Sequence, residues 1–398
     1  MSKPKLALIP SGYKSGKVYS ILPNDATGDF DFDRASEGTR VRKDGLIEEV
    51  TNDVPRLDWL NSNCPSLLLE PQQTNLQVYS EQFDNSSVWS RARGTAIADQ
   101  QISPNGEYTA DKILGDGTGT TYFYDGISFT SGLEYAISIF VKPINVTTFT
   151  IQNFTEFGTA TFDIQNGTSS GVSGSLISQN IQNYGNGWYR CSAIYDCTST
   201  GSKNIGYGIQ NYDGDQFYLW GAQVEQGSYP TSYIKTEAST VTRLKDECIN
   251  GGDSDLFDIT EGTFFVDVTP YKSDSSFTAI SLNDDSSNNR VEMFFYGGTN
   301  QVRFVLAGGG GGLSLDNYET ITYNTRNKMA VTFNGSTAKV YLNSSLEHTD
   351  TSVDAMVGLD RLEFTLFNGT LNFEGKVHDT RVYDRVLTEE EAIELTTI

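Results

Sequence analysis

Apolar and polar side chains alternate with a period of two along most of this chain, in short bursts and not in long runs. Residues 135–141 (YAISIFV), 148–152, 188–195, 204–210 and 216–224 each carry the alternation of a half-buried strand. Breakers punctuate them: Lys142-Pro143 closes the first burst, and Gly185-Asn186-Gly187 forms a turn before Trp188. The pattern restarts after Lys245 with residues 262–270, 277–282, 291–296, 302–306, 329–333 and 339–342, the last two joined at Asn334-Gly335, a hairpin signal. Many short strands separated by tight turns predict antiparallel sandwiches. Period 3.6 enters only at the end, where Thr388 and Glu391 match a capping box opening a short helix.

Three blocks follow: residues 1–75, 76–244 and 245–398. The first holds short strand candidates with polar punctuation. In Asp29-Phe30-Asp31-Phe32-Asp33, alternation places two phenylalanines on one face and three carboxylates on the other, a solvated strand face with Arg34 and Arg40 nearby to neutralise it. The other two blocks read as β-sandwiches, so the expected fold is all-β: an N-terminal attachment segment, two antiparallel jelly rolls and a short C-terminal helix. The five glycines 308–312 have no Lys-Ser/Thr and no helix after them, so they predict a hairpin loop and not a phosphate cradle.

Charge narrows the function. Twenty-eight Lys and Arg against fifty-one Asp and Glu give −23, which repels nucleic acid and anionic membrane surfaces. Residues 1–60 hold nine basic and ten acidic side chains, so almost all of that excess lies further on, and the balanced start suits contact with another protein. No signal-like or membrane-length apolar run occurs, which predicts a soluble chain without Sec export. Cys64, Cys191, Cys197 and Cys248 show no CxxC spacing. Cys191 and Cys197 lie too far apart along one extended strand to bridge, so reduced, half-buried thiols are expected.

Particular residues carry a family resemblance. Residues 7–14 (ALIPSGYK), 17–20 (KVYS), Gly28-Asp29-Phe30, Arg34-Ala35-Ser36, Asp44-Gly45-Leu46-Ile47-Glu48 and Val54-Pro55-Arg56-Leu57-Asp58, ending at the junction LLLEPQQTNL of residues 67–76, resemble the start of fibre or spike proteins from virions of phages of Bacteroidetes-type hosts. Gly187-Trp188-Tyr189-Arg190, residues 218–225 (YLWGAQVE) and residues 227–234 (GSYPTSYI) are similar to phage head-spike and tail-fibre carbohydrate-binding modules. Phe373-Glu374-Gly375-Lys376-Val377, Arg381-Val382-Tyr383-Asp384-Arg385 and the helix start resemble the concanavalin A or laminin G-like jelly roll. The resemblance implies a virion protein assembled in the host cytoplasm, a head or tail fibre or spike docked to other virion proteins through residues 1–75. It also implies a homotrimer with weak, multivalent adhesion to host-surface glycans. A capsid decoration without glycan binding is the alternative, and a glycan-degrading enzyme a more distant one. Removing residues 1–66 is expected to leave both sandwiches folded.

Sugar recognition needs aromatic faces for C–H surfaces and polar groups for hydroxyls. Trp89, Trp188 and Trp220 sit in apolar motifs and read as core. Tyr122 and Tyr124, alternating within 121–125, and Tyr207 and Tyr212, flanking Gln210-Asn211, are the candidate glycan platforms. Calcium has oxygen-rich candidates in Asp213-Gly-Asp215 and Asn283-Asp284-Asp285, so a bound Ca2+ ion is an option but no cofactor is required. His348 and His378 are the only histidines and lack a nucleophile motif, and the repeat of β-helical depolymerases is absent, so no enzyme is expected.

Overall fold

The computed structural model describes residues 3–156, 158–209, 214–272, 277–310 and 312–398. Its elements are antiparallel strands, with one helix, Glu389–Thr396, among the described residues. That helix starts as its sequence predicts: the Thr388 hydroxyl accepts from the Glu391 amide, and the Glu391 carboxylate accepts from the Thr388 amide.

Two six-stranded sheets form the middle sandwich. One runs Ser90–Ala92, Thr121–Phe129, Gly201–Ile209, Thr148–Asn153, Gly158–Asp163, Thr168–Ser170. The facing sheet runs Gly94–Gln101, Ala110–Gly115, Gln216–Gln226, Glu134–Pro143, Trp188–Asp196, Leu176–Gly185. Phe123, Phe149, Ile151, Tyr195, Tyr207, Phe217 and Leu219 fill the space between them. Within Glu134–Pro143 seven consecutive residues are buried, because this central strand is covered on both faces. Its outward Phe140 packs with Trp188, Trp220 and Tyr233, and Val41 and Ile47 from the first block close over this second apolar layer. The turn Asn186-Gly187 takes φ of 52° and 79°, the left-handed geometry that a tight hairpin requires. Trp89, Trp188 and Trp220 are all core residues.

The C-terminal sandwich pairs a five-stranded sheet, Gly312–Thr320, Gln301–Gly308, Arg290–Tyr296, Thr278–Asn283, Arg361–Glu363, with an eight-stranded one. The larger sheet runs Ser345–Asp350, Ala338–Leu342, Asn327–Phe333, Gly262–Pro270, Gly375–Tyr383, Ser66–Leu69, Leu57–Asp58. The free edge of Gly375–Tyr383 is covered end to end by two short strands of the first block: Leu6–Leu8 opposite Thr380–Val382, and Leu67–Leu69 opposite Gly375–Val377. An uncovered edge there would be open to pairing with another chain.

Here the expected organisation is corrected. The first block is no segment standing apart from two self-sufficient sandwiches. Leu6, Leu8, Val18, Phe30, Phe32, Leu57, Leu67 and Leu69 belong to one core with Phe264, Val266, Val377 and Val382. At about 1.5–3 kcal/mol for each fully buried apolar side chain, these eight contribute on the order of 10–20 kcal/mol as an upper estimate. Phe30 and Phe32 do share the buried face predicted for them, with Asp31 half-buried and Asp33 exposed behind them.

The same block is fastened to the middle sandwich at the 67–76 junction. Gln73–Asn75 pairs with Val241–Arg243, and the buried Asn75 side chain donates to the carbonyls of Ala222 and Ile234. Glu70 accepts from Arg56, Arg243, and the amide and hydroxyl of Ser232, while Asp246 accepts from Arg34, Arg56 and the Glu70 amide. All five charged side chains are at most 3% exposed. Burial alone would raise the Glu70 pKa, but Arg243 and Arg56 overcome it and hold the carboxyl well below the usual carboxylate range.

Candidate functional site

Where the first block wedges between the sandwiches, a cleft of about 790 Å³ remains. One wall is the edge of the middle sandwich, Leu176–Gly185 with Trp188–Asp196. The opposite wall comes from Thr269, Tyr271, Arg326, Lys376 and His378, and the floor from residues 39–70 and 228–233. A space of this size matches ordinary small-ligand sites.

Three tyrosines give the cleft its aromatic surface. Tyr184, Tyr229 and Tyr271 are each half-buried and line the space. Tyr229 and Tyr271 lie with ring centroids 5.2 Å apart, and the Tyr229 hydroxyl donates to Glu374 at 3.0 Å. Tyr184 sets its edge against Phe140 at 4.9 Å. Burial pushes all three phenols above their ordinary pKa, so they act as neutral donors at physiological pH.

Polar groups surround the rings. Cross-strand pairing sets Gln182 beside Arg190 and Asn180 beside Ser192. Among the described residues, the side chains of Asn180 and Gln182 make no hydrogen bond within the protein, which leaves two primary amides for other partners. Across the cleft Lys376 is fixed by Asp58 at 2.7 Å and Arg326 by a two-pronged pair with Asp267. His378 meets the Thr269 hydroxyl at 2.9 Å, and burial lowers its pKa to about 4, with Arg326 and Lys376 adding to the shift and Asp267 opposing it.

The cleft carboxylates are not set up for acid–base chemistry. Glu70 is locked in its arginine cluster, and Asp58 accepts from the Val41 and Leu60 amides and from Lys376. A glycosidase acid needs a carboxyl whose proton is held near neutral pH, the reverse of what Glu70 experiences.

The residues singled out from the sequence lie elsewhere. Tyr207 is fully buried, its ring 5.9 Å from Trp89, and offers no face to solvent. Its neighbours explain this: Gly206 and Gly208 take the outward positions and leave room for the rings of Phe154 and Tyr122, where a Cβ would meet them at 2.3 Å and 2.5 Å. Tyr122 and Tyr124 therefore lie on the outer face of that sheet, at 4.9 Å and 5.8 Å from Phe154, with Tyr122 9% exposed and Tyr124 half-buried. Tyr212 and Asp213 lie outside the described residues. Asp215 is half-buried. Asp284 is used by its own turn, accepting from Ser286 and Asn289, and Asp285 pairs with Arg361 at 3.3 Å. Among the described residues no three acidic, His or Cys side chains group as a metal site. His348 lies on the edge strand Ser345–Asp350. Cys191, Cys197 and Cys248 are buried outright and only Cys64 is exposed, a deeper placement than the half-buried one expected.

Sequence reasoning did not find Tyr184, Tyr229, Tyr271 and Arg190 as a site, although Arg190 and Tyr229 fall inside motifs it quoted. No local period joins residues from two blocks.

Comparison with known proteins locates one part of the chain. Residues 249–392 match the family described as the concanavalin A-like lectin/glucanases superfamily. No curated protein matches. Among solved structures, similarity is found to the CBM40 of Ruminococcus gnavus IT-sialidase bound to α2,3-sialyllactose, at 19% identity over 35% of this chain and 84% of that one, TM-score 0.29. Another is domain 4 of the arabinanase AbnA from Geobacillus stearothermophilus in complex with arabinotriose, at 14% identity over 42% and 81%, TM-score 0.34. A third is the galectin LEC-6 of Caenorhabditis elegans, at 14% identity over 31% and 84%, TM-score 0.23. No site residue is carried over from these structures. The strand pattern and the family match agree for the last block: residues 249–392 form a concanavalin A-like, laminin G-like jelly roll.

Proposed function

We propose that this chain is a non-catalytic structural protein of a phage virion, a head or tail fibre or spike, that adheres weakly to host-surface glycans through the cleft between its sandwiches. The observation that carries the reading is the lining of that cleft: Tyr184, Tyr229 and Tyr271 beside the uncommitted amides of Asn180 and Gln182. Rings receive the C–H faces of a sugar while amides and hydroxyls meet its hydroxyl groups. A single site of this kind needs only about millimolar affinity, near −4 kcal/mol, because many copies facing one cell multiply avidity by about 10²–10⁴. The virion setting and the homotrimer rest on the resemblance of residues 7–76 and 187–234 to phage fibre and spike proteins.

The test is binding of the intact protein to a broad glycan array, repeated with Tyr271→Ala and Gln182→Ala. Both variants should lose at least tenfold in half-saturating concentration, while Tyr124→Ala, on the outer sheet face, separates a secondary platform from the cleft. Retention of full binding by the cleft variants would move the site elsewhere, and no binding to any glycan would favour a purely structural decoration. Immunogold labelling of virions and light scattering of the intact chain test placement and trimer.

A further inference from the structure

Of the four cationic side chains that line the cleft, three are matched. Arg40 pairs with Glu48 at 2.7 Å, Lys376 with Asp58, and Arg326 with Asp267. Arg190 is different. It is 6% exposed, yet among the described residues no carboxylate lies within 4.0 Å of it. One Nη2–H donates to the Ser138 hydroxyl at 3.0 Å, and the guanidinium lies 5.3 Å above the Phe140 ring. Its Nε is buried with no hydrogen-bond partner, and the Tyr184 phenol on the same wall interacts with the guanidinium. Glu225 feels the same charge but spends its oxygens on the amide and hydroxyl of Thr231.

A guanidinium held this deep with no carboxylate in direct contact is unfavourable, and in a chain of net charge −23 its position in a polar cleft asks for an explanation. Its immediate surroundings are those of a sugar site: Gln182 directly opposite, Asn180 and Ser192 one pair along, and Tyr184 on the same wall. A guanidinium presents a planar fork of donors that suits a carboxylate better than it suits a lone hydroxyl. We propose that the cleft selects sugars carrying a carboxylate, of the uronic or sialic acid class, with the carboxylate seated on Arg190 and the hydroxyls on Gln182 and Asn180. The proposal rests on the glycan-binding reading above and names the class of sugar that reading leaves open.

The experiment is titration of the full chain, in buffer of low ionic strength, with glucuronic acid, N-acetylneuraminic acid, neutral glucose and galactose, and glucose 6-sulfate. The acids should bind at least tenfold more tightly than the neutral sugars, and this advantage should shrink as salt rises to 0.5 M. Arg190→Gln should bring the acids down to the affinity of the neutral sugars for the same variant, and Arg190→Lys should keep part of the advantage. Circular dichroism melting of each variant checks the fold, with Arg190→Lys as the gentler change. Equal binding of acidic and neutral sugars, or an advantage that survives Arg190→Gln, would overturn the proposal while leaving glycan binding intact. A sulfated sugar that matches the uronate would overturn the carboxylate assignment. If no sugar of any kind binds, the glycan reading fails with it.

Discussion

Replacing Glu70 by alanine is the sharpest perturbation this architecture offers. Glu70 and Asp246 together set two negative charges against Arg34, Arg56 and Arg243, so the buried cluster stands at +1, and Glu70→Ala moves it to +2. Arg56 retains Asp246 and the Thr39 carbonyl, but Arg243 keeps only the Pro71 carbonyl and the Ser232 hydroxyl. Breaking a buried pair by removing one partner costs about 3–5 kcal/mol, because the remaining charge cannot reach water. With a urea slope of roughly 1–3 kcal/mol/M, the midpoint should fall by about 1–5 M. Glu70→Gln keeps the shape and part of the hydrogen bonding and should lose less. Arg243→Met added to Glu70→Ala should recover part of the loss, since it removes the orphaned charge, and the double-mutant cycle reads that coupling directly. The pH sign follows from the same cluster. The folded Glu70 pKa lies below its ordinary 4.5, so its contribution is complete above that value and disappears as acid titrates the folded carboxylate. A midpoint shift below about 0.3 M for Glu70→Ala would refute the claim that the cluster clamps the first block to the rest of the chain.

Other outcomes follow from placements already described. His378, lowered to about 4 from 6.5, contributes stability that is full above pH 6.5 and is lost as pH falls towards 4, at most about 3 kcal/mol; His378→Gln should flatten thermal stability over that window. Deleting residues 1–66 strips strands Leu6–Leu8 and Leu57–Asp58 and most of the eight shared core side chains, so the C-terminal sandwich should become protease-sensitive or insoluble. A stable, soluble fragment with native-like circular dichroism would contradict the shared core. A thiol reagent should titrate one cysteine, Cys64, in the native protein and four in denaturant, since Cys191, Cys197 and Cys248 are buried.

Strand positions were readable because a half-buried strand writes its two faces into alternate residues. Gly262–Pro270 is bounded where the pattern bounds it, and Trp188–Asp196 and Gln216–Gln226 are extended by only one or two residues. Which parity faces inward is another matter. Gly-Tyr-Gly at 206–208 reads as a polar stretch with an available ring, but both glycines face outward to accommodate neighbouring aromatics, and Tyr207 turns into the core. The cleft was hidden for a different reason. Tyr184, Tyr229 and Tyr271 become neighbours only after residues 39–70 have bridged the sandwiches, and a pattern with a range of a few residues carries no record of that bridge. Glu70 was visible as part of a junction motif, but not as the partner of Arg243, 173 positions away.

The edge-to-edge arrangement on Gly375–Tyr383 also constrains how the chain can be made. Leu6 pairs with Val382, so the strand at Leu6–Leu8 waits for one synthesised about 376 residues later before it has a partner. Until then Leu6, Leu8, Phe30 and Phe32 have no core to enter, and the apolar part of the first block stays exposed throughout synthesis. The middle sandwich needs no such wait for its own strand pairs, which fall within residues 90–226. Folding should therefore start in the middle sandwich, with residues 1–75 and 245–398 condensing together once Gly375–Tyr383 is made, a late, long-range step of the kind that makes β topologies slow.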